Sequence, residues 1–427
     1  MPPGPFVFAH LADAHVGAWP RDPAVRSALR QSFLSALRVA EERGAEFLLI
    51  SGDLFHTPVP DPGEVAPVAA ALRRFVDQGR RIYVIYGSHD YVAQRTSWLD
   101  VLAETGVFLK VAPEAVRAEG TRWSLPFHVD APTGARIAGI SGRSHGLDRE
   151  YFRAVDSESF RAEPGFKIFQ FHAAVEEYLP EGLRAHIHGI RVADLPPGCG
   201  YYAGGHIHFT YLGEGPGGGL LVNPGAVFGT SRTDLENGQA GRTHQGVVIV
   251  TVTEGRAAAE FVDTAPRDAV HLVDVDVSGK TAAEARAELE RRLSDESGPG
   301  ALLFPRVHGT LADGTVASLS LTQVARQRGP SSGTVHWDVR DLTSASPESS
   351  TPTTESQLEE EEIRRLLTET MLGRSWLEGE DGERRVRELL RELGSPKTEG
   401  ESRQDYSNAR LASARRILGV RPDSSDG

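Results

Sequence analysis

Aspartate and histidine residues form five small clusters in the first half of the chain. Each cluster follows a short apolar run rich in Val, Ile or Phe, a pattern that favours a buried strand. Because the carboxyl ends of strands in a layered sheet meet at one edge, we expect these side chains to converge. The clusters are Asp13 with His15, Asp53 with His56, His89 with Asp90, His172, and His206 with His208.

Carboxylate and imidazole groups together suit Mn²⁺, Fe or Zn²⁺. Two such ions about 3.5–4 Å apart can hold the attacking and leaving oxygens of a phosphoryl transfer and lower the pKa of bound water toward about 7. Asp53 is the natural bridge, since a carboxylate can offer one oxygen to each ion. The charge of Asp13 and Asp53 would only half neutralise two divalent ions, and the surplus can attract phosphate. The pattern therefore predicts a two-metal phosphoesterase.

Short apolar runs alternate with helical segments from residue 6 to about residue 262, which favours layered α/β packing. The strands are predicted at residues 6–10, 46–50, 81–86, 167–171, 201–203, 220–222 and 246–252. The spacing of Val25, Leu29, Phe33, Leu37 and Ala40 predicts a helix over 23–43 with one face packed on the sheet.

Five segments resemble, in order and spacing, the calcineurin-like metallophosphoesterases. They are LADAH at 11–15, SGDLFH at 51–56, YGSHD at 86–90, FHAAVEEYLP at 171–180 and YYAGGHIH at 201–208. The histidine after GDLF and the last segment are most similar to the SbcD-type exonucleases of DNA double-strand-break repair. The resemblance covers residues 5–262 and implies an α/β fold in which helices flank a layered β-sandwich. It also implies a Mn²⁺-dependent nuclease that acts on DNA ends.

The resemblance implies two sets of metal ligands. One ion would be held by Asp13, His15, Asp53 and His208, and the other by Asp53, His172 and His206. Where the family has Asn in its GNHD motif, this chain has Ser88. The shorter hydroxyl could bind the second ion directly, hold a water that does so, or leave the second site weak.

Three further residues receive catalytic roles from the same resemblance. His89 would donate a proton to the leaving oxygen or stabilise the transition state. Asp90 would orient His89, and His56 would position the phosphate.

Changes in composition divide the chain into four segments. Residues 1–265 are the expected phosphoesterase domain, and residues 266–343, with strands predicted at 270–277, 302–307 and 334–339 and a helix at 281–293, are a small α/β cap. Residues 344–356 are rich in Ser, Thr and Pro and are typical of a flexible linker. The polar tail, 357–427, carries helical apolar spacing at 358–394 and 408–418. It is interpreted as a segment that binds an SbcC-like coiled-coil ATPase, with an acidic solubilising tail as the alternative.

The formal net charge of −13 argues against a protein that coats nucleic acid by electrostatics alone. Any contact with DNA must then be local. With no apolar run near the roughly 20 residues that span a bilayer, no convincing secretory signal and a single cysteine, Cys199, a cytoplasmic protein without a membrane segment is expected. The resemblance also implies a homodimer, formed through a helix over 97–105 whose Trp98, Leu99 and Leu102 could equally be core.

Several other features have a structural interpretation. His10 and Cys199 are expected in the core, and GEGPGGG at 213–219 is expected to be a hairpin turn. His186 and His188 lie in a connecting segment and are not expected to bind metal. Asn223 predicts a turn near the site, with contact to the surroundings of the ligands as the alternative. Arginines of the cap could touch phosphates or be ordinary surface residues; they are Arg286, Arg291, Arg292, Arg306, Arg326 and Arg328.

Two other functions remain open. One is a phosphodiesterase for small nucleotides or a phosphatase, since this fold serves many substrates. The other is a weakly catalytic scaffold subunit of an ATPase complex, for which Ser88 is the support.

Overall fold

The computed structural model describes residues 4–344 with gaps at 91–95, 113–115, 118–122, 143–147, 185–186, 188, 297 and 329–332. Beyond residue 344 it describes only residues 388, 412–413 and 416–417. The chain divides into two compact units, residues 1–345 and 346–427. All elements below belong to the first unit.

The strands lie at short intervals along the first unit. In chain order they are β1 (Phe6–Leu11), β2 (Phe47–Ser51), β3 (Arg81–Ile85), β4 (Leu109–Lys110), β5 (Val116–Arg117), β6 (Trp123–Ser124), β7 (His128–Val129), β8 (Arg136–Ile140), β9 (Lys167–Phe171), β10 (Tyr201–Ala203), β11 (Tyr211–Glu214), β12 (Leu220–Asn223), β13 (Gly246–Thr253), β14 (Arg256–Asp263), β15 (Val270–Asp276), β16 (Leu302–Leu311), β17 (Thr334–Val335) and β18 (Leu342–Ser344).

The helices pack outside these strands. They are α1 (Pro23–Glu42), α2 (Pro62–Asp77), α3 (Trp98–Glu104), α4 (Asp148–Arg153), α5 (Ser157–Ala162), α6 (Glu181–Arg184), α7 (Arg232–Gln239), α8 (Ala282–Asp295) and α9 (Leu321–Gln327).

Two six-stranded sheets form the centre of the first unit. The first has the order β14-β13-β1-β2-β3-β4, and the second β11-β12-β10-β9-β8-β7. Strands β1 to β4 are parallel to one another, as are β8, β9, β10 and β12, while the outer strands are antiparallel. The parallel strands of each sheet therefore send their carboxyl ends to one edge.

Successive side chains of a strand point to opposite faces, so each central strand must be apolar on both sides. Phe8 and Leu49 of the first sheet meet Ile168 and Tyr201 of the second in a core between the sheets. The alternate residues of the first sheet pack against α1, α2 and α3. Those of the second sheet pack against α4 and α5. This arrangement confirms the predicted β-sandwich flanked by helices.

Helix α1 confirms the predicted amphipathic face. Val25, Leu29, Phe33, Leu37 and Ala40 are all buried against the first sheet. The helix begins at Pro23, where the missing backbone N–H is not required by the first turn.

A third sheet belongs to residues 270–344, which we call the small subdomain. Strand β16 is parallel to β15, β17 and β18, and α8 packs on this sheet around a separate apolar cluster. The strand predicted over 334–339 is shorter than expected, since between Val335 and the start of β18 at Leu342 the only further pairing is an isolated bridge, between Arg306 and Asp338. A domain boundary at residue 265 stays a prediction.

The sequence left open whether α3 offers an apolar patch for a dimer, and it predicted a linker and helices in the C-terminal region. Leu99 and Leu102 of α3 are buried in the core on the first sheet, so they do not form an exposed dimer patch; Val101 is the exposed apolar residue of that helix. The predicted linker beyond Ser344 and the predicted tail helices lie outside the described residues, apart from residues 388, 412–413 and 416–417. No helix in the part of the chain that is described is both long enough and apolar enough to cross a membrane.

The buried carboxylate of Asp130 links the two sheets. Asp130 follows β7 of the second sheet and accepts two hydrogen bonds from the guanidinium of Arg81 in β3, each 2.7 Å, and one of 2.8 Å from the hydroxyl of Tyr83. The hydroxyl of Thr133 donates a fourth, at 2.6 Å. Burial opposes ionisation, but these donors hold the pKa of Asp130 below its usual value.

We expect Asp130→Asn to lower the free energy of unfolding by about 2–4 kcal/mol, because it leaves a partly buried guanidinium without its anionic partner. Urea unfolding at pH 7 measures this loss. The depressed pKa stabilises the fold above the unfolded-state value of about 3.9, so the difference from wild type should shrink as the pH falls below about 4.

The control is Asp77→Asn, which breaks the exposed pair between Asp77 and Arg73 within α2. An exposed pair of this kind contributes well under about 1 kcal/mol. Equal losses in the two variants would contradict the role given to Asp130.

Candidate metal centre

The predicted site residues lie on loops at the carboxyl ends of five parallel strands. Asp13 and His15 follow β1, Asp53 and His56 follow β2, Ser88, His89 and Asp90 follow β3, His172 follows β9, and His206 and His208 follow β10. Both sheets therefore contribute to one site. The convergence predicted from the sequence is what the structure shows.

Potential ligand atoms approach within 4.8 Å of one another in three groups. The groups are Asp13, His15 and His208; Asp13, Asp53 and His172; and His15, His56 and His89. His206 lies outside these groups, with its ring centroid 5.0 Å from that of His172.

Asp53 occupies the middle of the site. Its Oδ1 accepts a hydrogen bond of 2.8 Å from the backbone N–H of His89, and its Oδ2 lies 3.3 Å from His172 Nε2 and 3.7 Å from His15 Nε2. The hydroxyl of Ser88 also donates to Oδ2, at 3.3 Å. Ser88 therefore reaches the site, in contact with the residue expected to bridge the ions.

Asp13 joins the two sheets at the site. Its carboxylate accepts hydrogen bonds of 3.2 and 2.9 Å from the backbone N–H of His206. Next to it, His15 Nε2 and His208 Nε2 are 3.1 Å apart, so these two nitrogens point at a common position.

The backbone is strained where the ligand candidates lie. Asp13, His15, Asp53 and His206 have φ of 51°, 43°, 52° and 93°, a region that residues with a Cβ adopt at a cost. Gly87 is equally constrained, because a Cβ there would lie 2.0 Å from Asp53 Oδ1. The loops are therefore held in the conformation that brings these side chains together.

Burial and mutual charge shift the pKa of each group. Burial raises the pKa of Asp13 to about 6 despite nearby histidines. Burial also opposes ionisation of Asp53, but His172 and His15 outweigh it and hold the pKa of Asp53 below its usual value. For His172, burial favours the neutral ring, yet Asp53 and Asp13 raise its pKa to about 10.

The donor set fits divalent cations. Nε2 of His172, which lies next to Asp53, is buried without a hydrogen-bond partner, which is costly unless another group binds it. Two buried carboxylates lie among the imidazoles of the site, and this mixture of ligands suits Mn²⁺, Fe or Zn²⁺.

His56 and His89 form the side of the site next to His15. Their rings stack with centroids 5.1 Å apart, and His89 Nδ1 donates to the backbone carbonyl of His56 at 2.9 Å. His89 is exposed, whereas burial and the neighbouring His89 lower the pKa of His56.

Asp90 was expected to orient His89, but among the described residues no hydrogen bond joins its carboxylate to the His89 ring. The carboxylate of Asp90 is fully buried and accepts hydrogen bonds from the backbone N–H groups of Leu54, Phe55 and Gly87, at 3.3, 3.1 and 3.1 Å. These three donors satisfy the buried carboxylate. Burial, followed by the charge of Asp53, raises the pKa of Asp90 to about 7. Asp90 thus ties the loop after β3 to the loop after β2.

Two polar residues support His208: Asp234, which was not predicted, and Asn223, for which contact with the surroundings of the ligands was the alternative to a turn. The carboxylate of Asp234, in α7, lies 2.9 Å from His208 Nδ1. Asn223 donates to the backbone carbonyls of Ile207 and Phe209, at 2.6 and 2.7 Å, so it fixes the chain on both sides of His208. The pattern Ser-x-x-Asp at 231–234 could have predicted the start of a helix, but nothing in it indicates a histidine partner.

Where the structure describes them, the residues that were interpreted as structural can be placed. His10 is buried and bonded to Tyr201 and Ser51, and Cys199 is buried. The predicted hairpin turn is present but shorter than residues 213–219: Gly213 and Glu214 end β11, and residues 215–219 join it to the antiparallel β12. His186 and His188 lie outside the described residues.

Comparisons with known proteins agree with this geometry. Residues 6–209 match the family model of calcineurin-like phosphoesterases. The chain is 26% identical over 202 residues to the DNA double-strand break repair protein Mre11 of Methanococcus maripaludis, covering 47% of this chain and 51% of the relative. It is 27% identical over 230 residues to Mre11 of Archaeoglobus fulgidus, covering 52% and 49%. With Mre11 of Methanopyrus kandleri it shares 25% over 297 residues, covering 67% and 62%.

The matched part spans about half the length of the first two relatives. The similarity nevertheless includes every loop that carries a candidate ligand, because residues 6–209 run from the first strand to beyond His208. Residues 6–209 are therefore a calcineurin-like phosphoesterase domain, in a chain similar to the Mre11 proteins of DNA double-strand break repair.

Proposed function

We propose that this protein is a metal-dependent nuclease that hydrolyses phosphodiester bonds at DNA ends by a two-metal mechanism in double-strand-break repair. The observation that carries the proposal is the position of Asp53, whose carboxylate lies between imidazoles from both sheets. The relatives named as DNA double-strand break repair proteins support the choice of substrate.

Two divalent ions, Mn²⁺ in the first instance with Fe or Zn²⁺ as alternatives, would be held by two overlapping sets of residues. The first set is Asp13, His15, Asp53 and His208, and the second is Asp53, His172, His206 and Ser88. Bound ions of this kind neutralise phosphate charge and lower the pKa of water toward about 7. The buried, unpaired Nε2 of His172 supports this assignment.

His89 acts as the proton donor in this proposal. Its Nδ1 donates to a carbonyl, which can only accept, so Nε2 carries a proton only in the imidazolium form. The exposed ring can reach a substrate, and His56 stacked beside it can contact the phosphate. Asp90 contributes by holding the loops that carry both histidines.

The proposal extends to partners. Contact with DNA must be local, given the net charge of −13, and Arg286, Arg291, Arg292 and Arg326 of the small subdomain are candidates for it. Arg286, Arg291 and Arg306 are weaker candidates because each already pairs with a carboxylate. Arg286 pairs with Glu290, Arg291 with Asp295, and Arg306 with Glu236 and Asp338. An SbcC-like ATPase bound by residues 357–427, a homodimer and a cytoplasmic location complete the proposal.

We expect His89→Ala to lower DNA cleavage by about 10²–10⁴-fold, because it removes the proton donor and leaves the ligands in place. The measurement compares wild type and variant with Mn²⁺ on end-labelled duplex DNA and on a bis-phosphodiester reporter. Bound Mn²⁺ should be unchanged. A variant as active as wild type would refute the role of His89, and reporter cleavage without DNA cleavage by wild type would favour a small-nucleotide phosphodiesterase. If wild type binds Mn²⁺ but cleaves neither the DNA nor the reporter, the result would favour a scaffold subunit over an enzyme.

A second prediction concerns pH. Burial disfavours the charged ring of His208, but Asp234 raises its pKa to about 9, and the pKa of His172 is about 10. Both rings are therefore protonated at pH 7 and must lose a proton to bind a metal ion. We expect Mn²⁺ binding to release about two protons near pH 7 and to become tighter as the pH rises toward 9.

Isothermal titration calorimetry in two buffers of different ionisation enthalpy measures this release. Asp53→Asn is the control, since it removes the bridging carboxylate and should abolish tight binding of the second ion. Binding enthalpies that do not depend on the buffer would show that these histidines are not the ligands.

A further inference from the structure

Helix α7 contacts two different parts of the molecule through residues of a single turn. Arg232 faces the small subdomain, and Asp234 faces the candidate metal centre. Neither residue lies in the five motifs.

The contact to the metal centre is through His208. Asp234 Oδ2 lies 2.9 Å from His208 Nδ1, which leaves Nε2 as the nitrogen that points toward His15. A carboxylate on the far nitrogen of a ligand histidine fixes the tautomer and the orientation of the ring. Asp234 can therefore set the direction in which His208 presents its ligand atom.

The contact to the small subdomain is through Arg232, which is buried. Its guanidinium donates to the backbone carbonyl of Phe304 in β16 and, at 3.3 Å, to Asp274 of β15. It also pairs with Glu236 of α7 at 2.9 Å, and Glu236 binds Arg306 of β16 at the same distance. A buried cation shared between two elements holds them in one register, because leaving it unpaired is costly.

The first turn of α7 connects these contacts rigidly. Ser231 and Asp234 form a reciprocal capping box, and the backbone and hydroxyl of Thr230 also donate to the Asp234 carboxylate, both at 3.0 Å. These hydrogen bonds fix the position of Asp234 relative to Arg232. A displacement of Arg232 by the small subdomain is therefore expected to move Asp234 as well.

We propose that α7 couples the position of the small subdomain to the affinity of the metal ion held by His208, with Asp234 as a positioning residue. The inference rests on the proposed metal site. Its consequence is reciprocal: a DNA end that displaces the small subdomain changes metal affinity, and metal binding changes how firmly the small subdomain is docked.

The first test measures Mn²⁺ affinity by calorimetry in the full chain. We expect Asp234→Ala to weaken one of two sites by about 10–100-fold, with partial recovery in Asp234→Glu. Arg232→Met should weaken the same site by about 10-fold although Arg232 does not touch it. Asp274→Ala, which removes an exposed partner of Arg232 and leaves the helix intact, should act in the same direction and replaces Arg232→Met if that variant does not fold.

The control is His336→Gln. His336 Nδ1 binds Asp22 at 2.6 Å and so joins the small subdomain to the start of α1 through residues that are not part of α7. We expect unchanged Mn²⁺ affinity in this variant. Equal weakening in His336→Gln and Arg232→Met would overturn the coupling through α7, as would wild-type affinity in both Arg232→Met and Asp274→Ala.

A second readout does not depend on metal. The ¹⁵N resonances of His208 in protein prepared without metal should shift in Asp234→Ala and in Arg232→Met, and stay in place in His336→Gln. If wild type binds no Mn²⁺, the proposed metal site fails, but these resonances still decide the coupling. Unshifted His208 resonances in Arg232→Met and Asp274→Ala would refute it.

Discussion

Two buried negative charges, those of Asp13 and Asp53, are the constraint on which the site depends. Buried carboxylates are costly unless cations or hydrogen-bond donors surround them. Here imidazoles from both sheets and backbone N–H groups of His89 and His206 surround them. The same arrangement that makes the aspartates tolerable in the core also makes them suitable for divalent ions, and the proposed chemistry follows from that dual role.

The groups that surround these carboxylates come from two sheets, so the fold must hold the two sheets in a fixed relation. An apolar core between the sheets and the hydrogen bonds of Asp130 hold the two sheets together. The loops after β1, β2, β3, β9 and β10 therefore meet at one edge of the sandwich. Left-handed backbone at Asp13, His15, Asp53 and His206 shows that the loops pay a local conformational cost at this junction. A rigid sandwich can sustain such strain because the rest of the structure determines where each loop begins and ends.

The small subdomain is connected to the site through helix α7. It has its own sheet and core, yet it is attached through Arg232 to the helix that supports His208. The proposed nuclease activity, in a chain of acidic net charge, requires local contacts with DNA, and a subdomain linked to His208 through α7 is placed to transmit such contacts to the site. The proposed substrate and the inferred coupling are therefore two aspects of one geometry.

The sequence by itself determined the sandwich, the buried face of α1 and the set of residues that converge. Short apolar runs and the Asp or His residues at their ends are local signals, and parallel strands of one sheet bring their carboxyl ends to the same edge. It did not determine the partner of Asp90, the burial of Leu99 and Leu102, or the bond between Asp234 and His208. Those depend on contacts between residues distant in the chain, where a carboxylate takes whichever donors the packing places nearest. Only the tertiary structure decided them, because local patterns specify which face is apolar but not which buried groups meet.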